Sequence, residues 1–405
     1  MADNVYVIDQ LVTGTTTITV TDDGSGTDTL RVDGVYSTVV EFTLAYTTNA
    51  GLPDSASAIY FTPNGAGFDG HRLVVNGVIE NAVGSNGRDF IQGNILGNVI
   101  HGDALATGAG LDDTLWGGSG NDTIHGGAGD DEIRGDYDDD QLHGNAGADD
   151  ISGGGGTDTI EGGAGADTMA GGATVGDTLS YATSGAAIQI TLEFGTTTFG
   201  SGGDAAGDQV TGFANVTGSA FGDRIEDLSK GTLAFGYNDS IFSGGAGGDR
   251  LILGGGHDQG FGDAGNDVLS GEAGNDTLNG GSQNDSLQGG QGKDRLIGGS
   301  GADAFVFKSL GDSTTALAQR DTITDFTSAQ GDKIDLAAID AEAGLAGNQA
   351  FHFITTGFTG DKGELRAKVS GSNLIVMGDT NGDGAADFAI LLLGVASVTA
   401  ADFAL

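Results

Sequence analysis

The sequence predicts an all-β protein built as a parallel β-roll (a β-solenoid) in two arrays, with β-rich capping domains at its N-terminal and C-terminal ends. Three observations predict this fold: 78 of the 405 residues are glycine, only 2 are proline, and aspartates recur every nine residues. Glycine at fixed places in a repeat indicates turns that need positive φ. Collagen is excluded, because it needs proline and a three-residue period.

Each repeat has the form G-G-x-G-x-D-x-U-x, in which U is apolar, as in residues 117–125 and 153–161. The glycines predict a turn, and the last three residues predict a short strand with one inward side chain, because side chains alternate faces. Two repeats make one coil of 18 residues, so aspartates 18 apart lie above one another at about the 4.8 Å strand spacing. The sixth-position aspartates are Asp113, Asp122, Asp131, Asp140, Asp149, Asp158, Asp167, Asp249, Asp258, Asp267, Asp276, Asp285, Asp294 and Asp303.

These stacked carboxylates predict calcium sites. Carboxylates in a column repel one another unless a cation lies between them, and the turns add backbone carbonyls that have no ladder partner. Ca²⁺ prefers such a shell of oxygen ligands, whereas Mg²⁺ resists losing its waters. The two series give five pairs each at the 18-residue spacing, which predicts roughly ten Ca²⁺ ions. The turn glycines of the predicted sites are Gly118, Gly120, Gly127, Gly129, Gly154, Gly156, Gly163, Gly165, Gly245, Gly247, Gly265, Gly274, Gly290, Gly292, Gly299 and Gly301. Weak sites or coil ends are expected at the departures from the pattern, which are Asn98, Leu111, Gly260 and Gln283.

The phased nonapeptides resemble the calcium-binding repeat of RTX (repeats-in-toxin), haemolysin-type proteins. The motifs at residues 304–307, 321–326 and 331–336 follow in an order that resembles the C-terminal domain of the serralysin metalloproteases over nearly all of residues 298–405. That resemblance implies a domain that caps the roll and carries an uncleaved type I secretion signal, so the type I secretion machinery is an expected partner. It does not imply protease activity, because the zinc signature H-E-x-x-H is absent from the sequence.

Five segments are predicted along the chain, and the two ends of the roll need covering because a solenoid end exposes unpaired strand edges. The predicted segments are an N-terminal β cap or small binding domain at 1–83, a first array at 84–179, a spacer with strands at 180–234, a second array at 235–303 and the C-terminal domain at 304–405. The strands expected in the first segment are residues 5–8, 16–20, 29–32, 39–44 and 73–75.

A separate acidic loop near the C-terminus follows the pattern D-x-N-x-D-G-x-x-D. Asp379, Asn381, Asp383 and Asp387 occupy positions 1, 3, 5 and 9 of an EF-hand-type loop. Position 12, which is a bidentate Glu in an EF-hand, is Ile390. One more Ca²⁺ site and an acidic hairpin turn are both consistent with this loop.

The charge balance limits the partners. Lys and Arg number 15 against 57 Asp and Glu, which gives a net charge of −42, and such a surface repels nucleic acid and anionic membranes. No cysteine is present, so disulfides and thiolate metal sites are excluded. No apolar stretch approaches about 18 residues, and the first six residues lack the cationic and apolar regions of a cleavable signal peptide.

The sequence predicts no catalytic residues. It has no G-x-S-x-G elbow, no phosphate-binding P-loop and no cysteine nucleophile. The predicted function is therefore a secreted, extracellular calcium-binding protein that folds on Ca²⁺ outside the cell after type I export. Its expected role is structural, surface-associated or adhesive, with surface polysaccharide or matrix as candidate partners. Two alternatives remain open: an extracellular hydrolase or lyase for polysaccharide or protein with a small active domain in residues 1–83, and a carbohydrate-binding module.

Overall fold

The computed structural model describes the backbone of five strands within residues 1–80 and then residues 81–405, apart from 85–86, 94, 104–109, 173–175, 194–195, 229–238 and 343. The described chain contains no α-helix and only two 3₁₀ turns, Gly203–Ala205 and Ala400–Asp402. None of its described helical segments is long and apolar enough to cross a bilayer. The predicted all-β class is confirmed, and the strand expected at 16–20 lies outside the described residues.

The chain forms two compact units, which are residues 1–181 with 194–213, and residues 182–193 with 214–405. Strands β1 to β19 are, in chain order, Val5–Ile8, Thr29–Asp33, Glu41–Thr43, Ala58–Thr62, His71–Val74, Asn81–Val83, Asp89–Gln92, Val99–His101, Thr114–Gly118, Thr123–Ala128, Glu132–Tyr137, Gln141–Ala146, Asp150–Gly155, Thr159–Ala164, Thr168–Gly172, Thr178–Ser180, Gln189–Leu192, Thr198–Phe199 and Gln209–Thr211. All of these except β17 belong to the first unit.

From β2 to β16, successive strands of the first unit alternate between two parallel sheets. One sheet runs β1-β2-β4-β6-β8-β10-β12-β14-β16. The other runs β3-β5-β7-β9-β11-β13-β15-β19, with β18 antiparallel at its edge. This alternation is the coil that two nine-residue repeats predict, and it confirms the parallel β-roll. The strands within residues 1–83 pair in parallel in the same two sheets, and the assignment of that segment as a cap or binding domain stays a prediction.

The second unit repeats the same arrangement and ends differently. Strands β20 to β36 are Asn215–Thr217, Arg224–Asp227, Ile241–Ser243, Arg250–Ile252, Gln259–Phe261, Val268–Gly274, Thr277–Ser282, Ser286–Gly292, Arg295–Ser300, Ala304–Val306, Thr322–Ile323, Lys333–Asp335, His352–Ile354, Glu364–Ser370, Asn373–Asp379, Phe388–Leu392 and Phe403–Ala404. One sheet runs β17-β21-β23-β25-β27-β29-β31-β36, entirely parallel. The other runs β20-β22-β24-β26-β28-β30-β35 in parallel and then turns antiparallel through β34 and β33, after the nonapeptides end.

Within the nonapeptide arrays, the core is a thin column of eighth-position side chains, one from each strand. Ile124, Leu142 and Ile160 are completely buried in one sheet and face the equivalent residues of the other. Gly260 breaks this column, but Leu253 fills the gap, since a Cβ placed on Gly260 would lie 3.2 Å from a Leu253 methyl carbon. Because each strand buries so little apolar surface, the edges of the roll must supply much of its stability.

Candidate metal sites

The structure brings together the aspartates that the nine-residue period places 18 apart. All fourteen are buried, none more than 3% exposed. In each of the ten pairs, the backbone N–H of the earlier aspartate donates to Oδ1 of the later one, at 2.7 to 3.0 Å. The column of Asp113, Asp131, Asp149 and Asp167 is one such edge. We call these stacked aspartates the aspartate ladder. It is held together by hydrogen bonds that run from the backbone of one coil to the carboxylate of the next.

The second oxygen of each of these carboxylates, Oδ2, is buried and has no hydrogen-bond partner within the described part of the chain. Leaving a charged oxygen desolvated and unpaired is strongly unfavourable. The same burial raises the pKa of Asp113 to about 9, of Asp140 and Asp276 to about 8, and of Asp149 to about 7. A carboxylate in this position needs either a cation or a proton.

Backbone carbonyl oxygens converge on the same place. A Cβ built on Gly153, the first residue of its turn, would lie 2.2 Å from Asp158 Oδ2 and 2.5 Å from the carbonyl oxygen of Gly171 on the next coil. The unpaired carboxylate oxygen and a carbonyl oxygen thus face one small space that only glycine leaves free. This combination of hard oxygen donors fits Ca²⁺.

The turn glycines serve two purposes. Fourteen of the sixteen in the predicted sites have positive φ, for example 111° at Gly154 and 138° at Gly156. The other two are needed for close approach, because a Cβ on Gly165 or Gly265 would lie 1.5 or 1.2 Å from a carbonyl oxygen of the previous coil. At Gln283, a departure from the pattern, the backbone still adopts a φ of 79°.

The donor set separates calcium from transition metals. No group of three or more His, Cys, Asp or Glu side chains in the described regions converges as a metal cluster. Zn²⁺ sites are built mainly from nitrogen and sulfur ligands, whereas Ca²⁺ accepts backbone carbonyls alongside few carboxylates. The residues present therefore fit Ca²⁺.

The fifth residues of many turns form a second column that the sequence did not reveal. Where the fifth residue is Asp, Asn or His, its side chain can accept a hydrogen bond from the backbone N–H of the fifth residue of the following coil, as Asp139 Oδ1 does from Thr157 at 2.7 Å. Asp130 and Asn275 do the same for Ala148 and Lys293. These turns are thus tied to neighbouring coils by a second set of hydrogen bonds that does not use the free Oδ2.

The aspartate ladder also continues beyond the nonapeptides. Asp177, Asp208, Asp223, Asp321 and Asp332 are buried, and each accepts on Oδ1 a backbone N–H from an earlier or following coil. Asp177, Asp208, Asp321 and Asp332 lie 19, 41, 27 and 29 residues after the ladder aspartates whose amides they accept, and Asp223 lies 26 residues before Asp249, so all five depart from the 18-residue spacing of the repeats. The triplet Asp-x-apolar, present at all five, is the signal that finds them.

The acidic loop near the C-terminus is closed by its own hydrogen bonds. Asp379 Oδ1 and Oδ2 accept from the amides of Gly382 and Gly384 at 2.7 and 2.8 Å, and Asp387 Oδ2 accepts from the amide of Thr380. No carboxylate oxygen of Asp379 is left over, in contrast to the ladder. Its assignment as a Ca²⁺ site, with Asn381 and Asp383, stays a prediction.

Comparison with known proteins identifies the repeats. Residues 107–142 and 143–173 match the RTX calcium-binding nonapeptide repeat, and residues 238–405 match the peptidase M10 serralysin C-terminal family. The solution structure of the AlgE6R2 subunit of the Azotobacter vinelandii mannuronan C5-epimerase is 26% identical over 46% of this chain and 89% of its own, with a TM-score of 0.23. The AlgE6R3 subunit of that enzyme is 24% identical over 45% of this chain and 77% of its own, with a TM-score of 0.22. No curated protein matches the chain.

The fold and the stacked aspartates define a calcium-binding parallel β-roll. The chain contains RTX calcium-binding repeats and a serralysin-type C-terminal domain, as the sequence motifs predict. The serralysin match begins at residue 238 and so includes the second array as well as the segment from residue 298 that carries the resemblance. Both matched domains are repeat and C-terminal domains rather than catalytic ones, and together they imply a secreted protein.

Proposed function

We propose that this protein is exported by a type I system, folds when it binds calcium outside the cell, and serves there as a non-enzymatic structural or adhesive component of the surface or matrix. The observation that carries the proposal is the free, buried Oδ2 on every predicted ladder aspartate. The two series of five stacked pairs support about ten bound Ca²⁺ ions. The five predicted segments, from the N-terminal cap to the secretion domain, are part of this proposal.

Calcium would control the fold because it binds only the assembled turns. The chain carries a net charge of −42 and a thin apolar column, so the ion-free coil is held together poorly. Binding free energy at the turns then becomes folding free energy. Extracellular calcium modules bind in the range of about 10⁻⁴ to 10⁻³ M, so the chain would stay unfolded in the calcium-poor cytosol and fold outside.

The test uses two neighbouring aspartates. Asp149 is buried in the ladder, whereas Asp150 is exposed on the adjacent strand. Asp149→Asn keeps an oxygen for the amide of Asp131 but replaces the free oxygen by an amide group. We expect this variant to bind at least one ion fewer by native mass spectrometry and to need several-fold more calcium for the circular-dichroism folding transition. Asp150→Asn should match the wild type in both measurements. A wild-type protein that is fully folded in metal-free buffer at pH 7.5, with no bound calcium, would contradict the proposal.

A carbohydrate-binding role has one observation in its favour, on the outer face of strands β7, β9 and β11. The Phe90 and Trp116 rings pack edge to face with centroids 4.9 Å apart, and the Arg134 guanidinium lies 5.4 Å from the Trp116 ring centroid. Beside them is a cavity of about 290 Å³ whose lining includes Glu132, Arg134, Asp136, Asp150, Ser152 and Gly154. Aromatic faces and carboxylates suit the C–H and hydroxyl groups of a sugar, and the −42 charge favours a neutral glycan over an anionic one.

Trp116 is the only tryptophan in the chain, so its fluorescence reports on this face alone. We expect neutral glucan hexasaccharides to change that fluorescence saturably in calcium-loaded protein, and oligogalacturonates of equal length not to do so. Calorimetry should show binding lost in Trp116→Ala and retained in Phe199→Ala, a control on an aromatic residue that is 67% exposed. Equal responses to both glycan types, or none to either, would rule out this second role.

A further inference from the structure

Four of the five aspartates that extend the ladder beyond the nonapeptides accept a ladder amide on Oδ1, and these four fall into two kinds, according to what lies against Oδ2. At Asp177 and Asp321, Oδ2 is buried and unpaired among the described residues, as it is in the repeats. At Asp208 and Asp332, a protein donor already reaches Oδ2. All four accept on Oδ1 the backbone N–H of an earlier ladder aspartate, so they hold equivalent positions in the roll.

We propose that Asp177 and Asp321 are two additional calcium ligands outside the nonapeptide repeats, and that Asp208 and Asp332 are ion-free positions where the protein itself takes the place of calcium. The inference rests on the proposed function, because it assumes that calcium occupies the free oxygens of the repeats. It goes further by stating which positions of the ladder take an ion and which do not.

Asp177 has the same oxygen environment as a repeat aspartate. Its side chain is completely buried, and its Oδ1 accepts from the amide of Asp158 at 2.9 Å. A Cβ on Gly171 would lie 2.7 Å from Asp177 Oδ2 and 2.6 Å from the carbonyl oxygen of Gly212. The corresponding space within the repeats is framed in the same way, by one free carboxylate oxygen and one carbonyl oxygen of the next coil. The one extra residue before Asp177 therefore changes the spacing and keeps the site.

Asp321 also has a free oxygen next to a ladder aspartate whose own Oδ2 is free. It is completely buried, and the amide of Asp294 donates to its Oδ1 at 2.8 Å. Asp294 also has a free buried Oδ2, so two unpaired carboxylate oxygens belong to consecutive coils at this point. A divalent ion would balance the negative charges of two such oxygens in consecutive coils.

At Asp208, in contrast, protein donors satisfy both carboxylate oxygens. The buried Tyr181 hydroxyl donates to its Oδ2 at 2.8 Å, while the amide of Asp167 donates to its Oδ1 at 2.9 Å. At Asp332 the amide of Thr327 donates to Oδ2 at 2.7 Å. Each of these carboxylates has a donor on both oxygens, so neither requires an ion to be buried.

The experiment counts ions in four matched variants. Asp177→Asn and Asp321→Asn should each bind one calcium ion fewer than the wild type by native mass spectrometry at saturating calcium. Asp208→Asn and Asp332→Asn should bind the wild-type number, although their melting temperatures fall. All four substitutions keep the oxygen that receives the ladder amide, and the two calcium-site variants are independent of each other should one fail to fold.

The outcomes separate this inference from the proposed function. If the wild type binds no calcium, the proposed function fails. If the wild type binds calcium but Asp177→Asn and Asp321→Asn keep the full number of ions, or Asp208→Asn and Asp332→Asn lose one, the inference alone is overturned. A terbium titration of each variant, read by direct excitation of the ion, gives a second count that does not depend on activity.

Discussion

In metal-free solution, this chain is expected to gain β structure as the pH falls from about 8 to about 5. Burial raises the pKa of ladder aspartates in the ion-free fold, to about 9 at Asp113, about 8 at Asp140 and Asp276, and about 7 at Asp167 and Asp249. A raised folded-state pKa means that the folded chain binds protons more tightly than the unfolded chain. The resulting stability is fully present below the unfolded value near 4 and is lost as the pH rises through the folded values.

Protons and calcium would therefore be alternatives for the same oxygens. The measurement is far-UV circular dichroism in resin-treated, metal-free buffers, stopped above the isoelectric point near 4.1 so that precipitation does not interfere. With calcium present, the fold should be retained at pH 7.5, and the calcium concentration at half-folding should fall as the pH falls, because protons already stabilise part of the fold. A metal-free spectrum that stays unchanged across this range would show that the buried carboxylates do not govern stability.

The parallel roll and the stacked aspartates were predictable because both follow from a strict period. Aspartates nine apart alternate between the two sheets, and aspartates 18 apart, such as Asp131 and Asp149, meet through a hydrogen bond. The inward residue of each strand was equally readable, since Ile133 and Ile151 share a register position and are both fully buried. Because the repeats have the same length and pattern, every coil has the same geometry, and the position of a residue in one coil predicts its position in the others.

What the period could not predict lies where the repetition stops. Asp208 belongs to the ladder, but 41 residues separate it from Asp167, and no spacing rule connects them. The Tyr181 hydroxyl that satisfies Asp208 is likewise a tertiary contact across 27 residues. The acidic loop at Asp379 differs from the ladder in this respect: its sequence resembles a calcium ligand set, and both carboxylate oxygens of Asp379 accept amides of the loop itself. Composition identifies oxygen donors, and only the fold shows which of them are free.

The second large effect is expected from a single methyl group at Gly265, the fourth residue of its turn. A Cβ there would lie 1.2 Å from the carbonyl oxygen of Gly247 and 2.4 Å from its carbonyl carbon. The obstacle is backbone, which no rotamer change can move aside, and the amide of Gly247 is itself bonded to Ala264 at 2.7 Å. Gly265→Ala must therefore separate two coils and distort the ladder amide between Asp249 and Asp267, which are bonded at 2.7 Å.

We expect Gly265→Ala to lower the free energy of unfolding by about 3 kcal/mol or more at saturating calcium, with a matching loss of calcium affinity. The control is Gly185→Ala in the same unit, where a Cβ would meet nothing within 4 Å. At that exposed position the change should be within about 1 kcal/mol, because it chiefly reduces the freedom of the unfolded chain. The comparison is made from urea midpoints followed by circular dichroism. Equal midpoints for the two variants would mean that the coils are not stacked as closely as the ladder requires. A lower midpoint for Gly265→Ala alone would show that the spacing between coils, and not only the carboxylates, determines the stability of the roll.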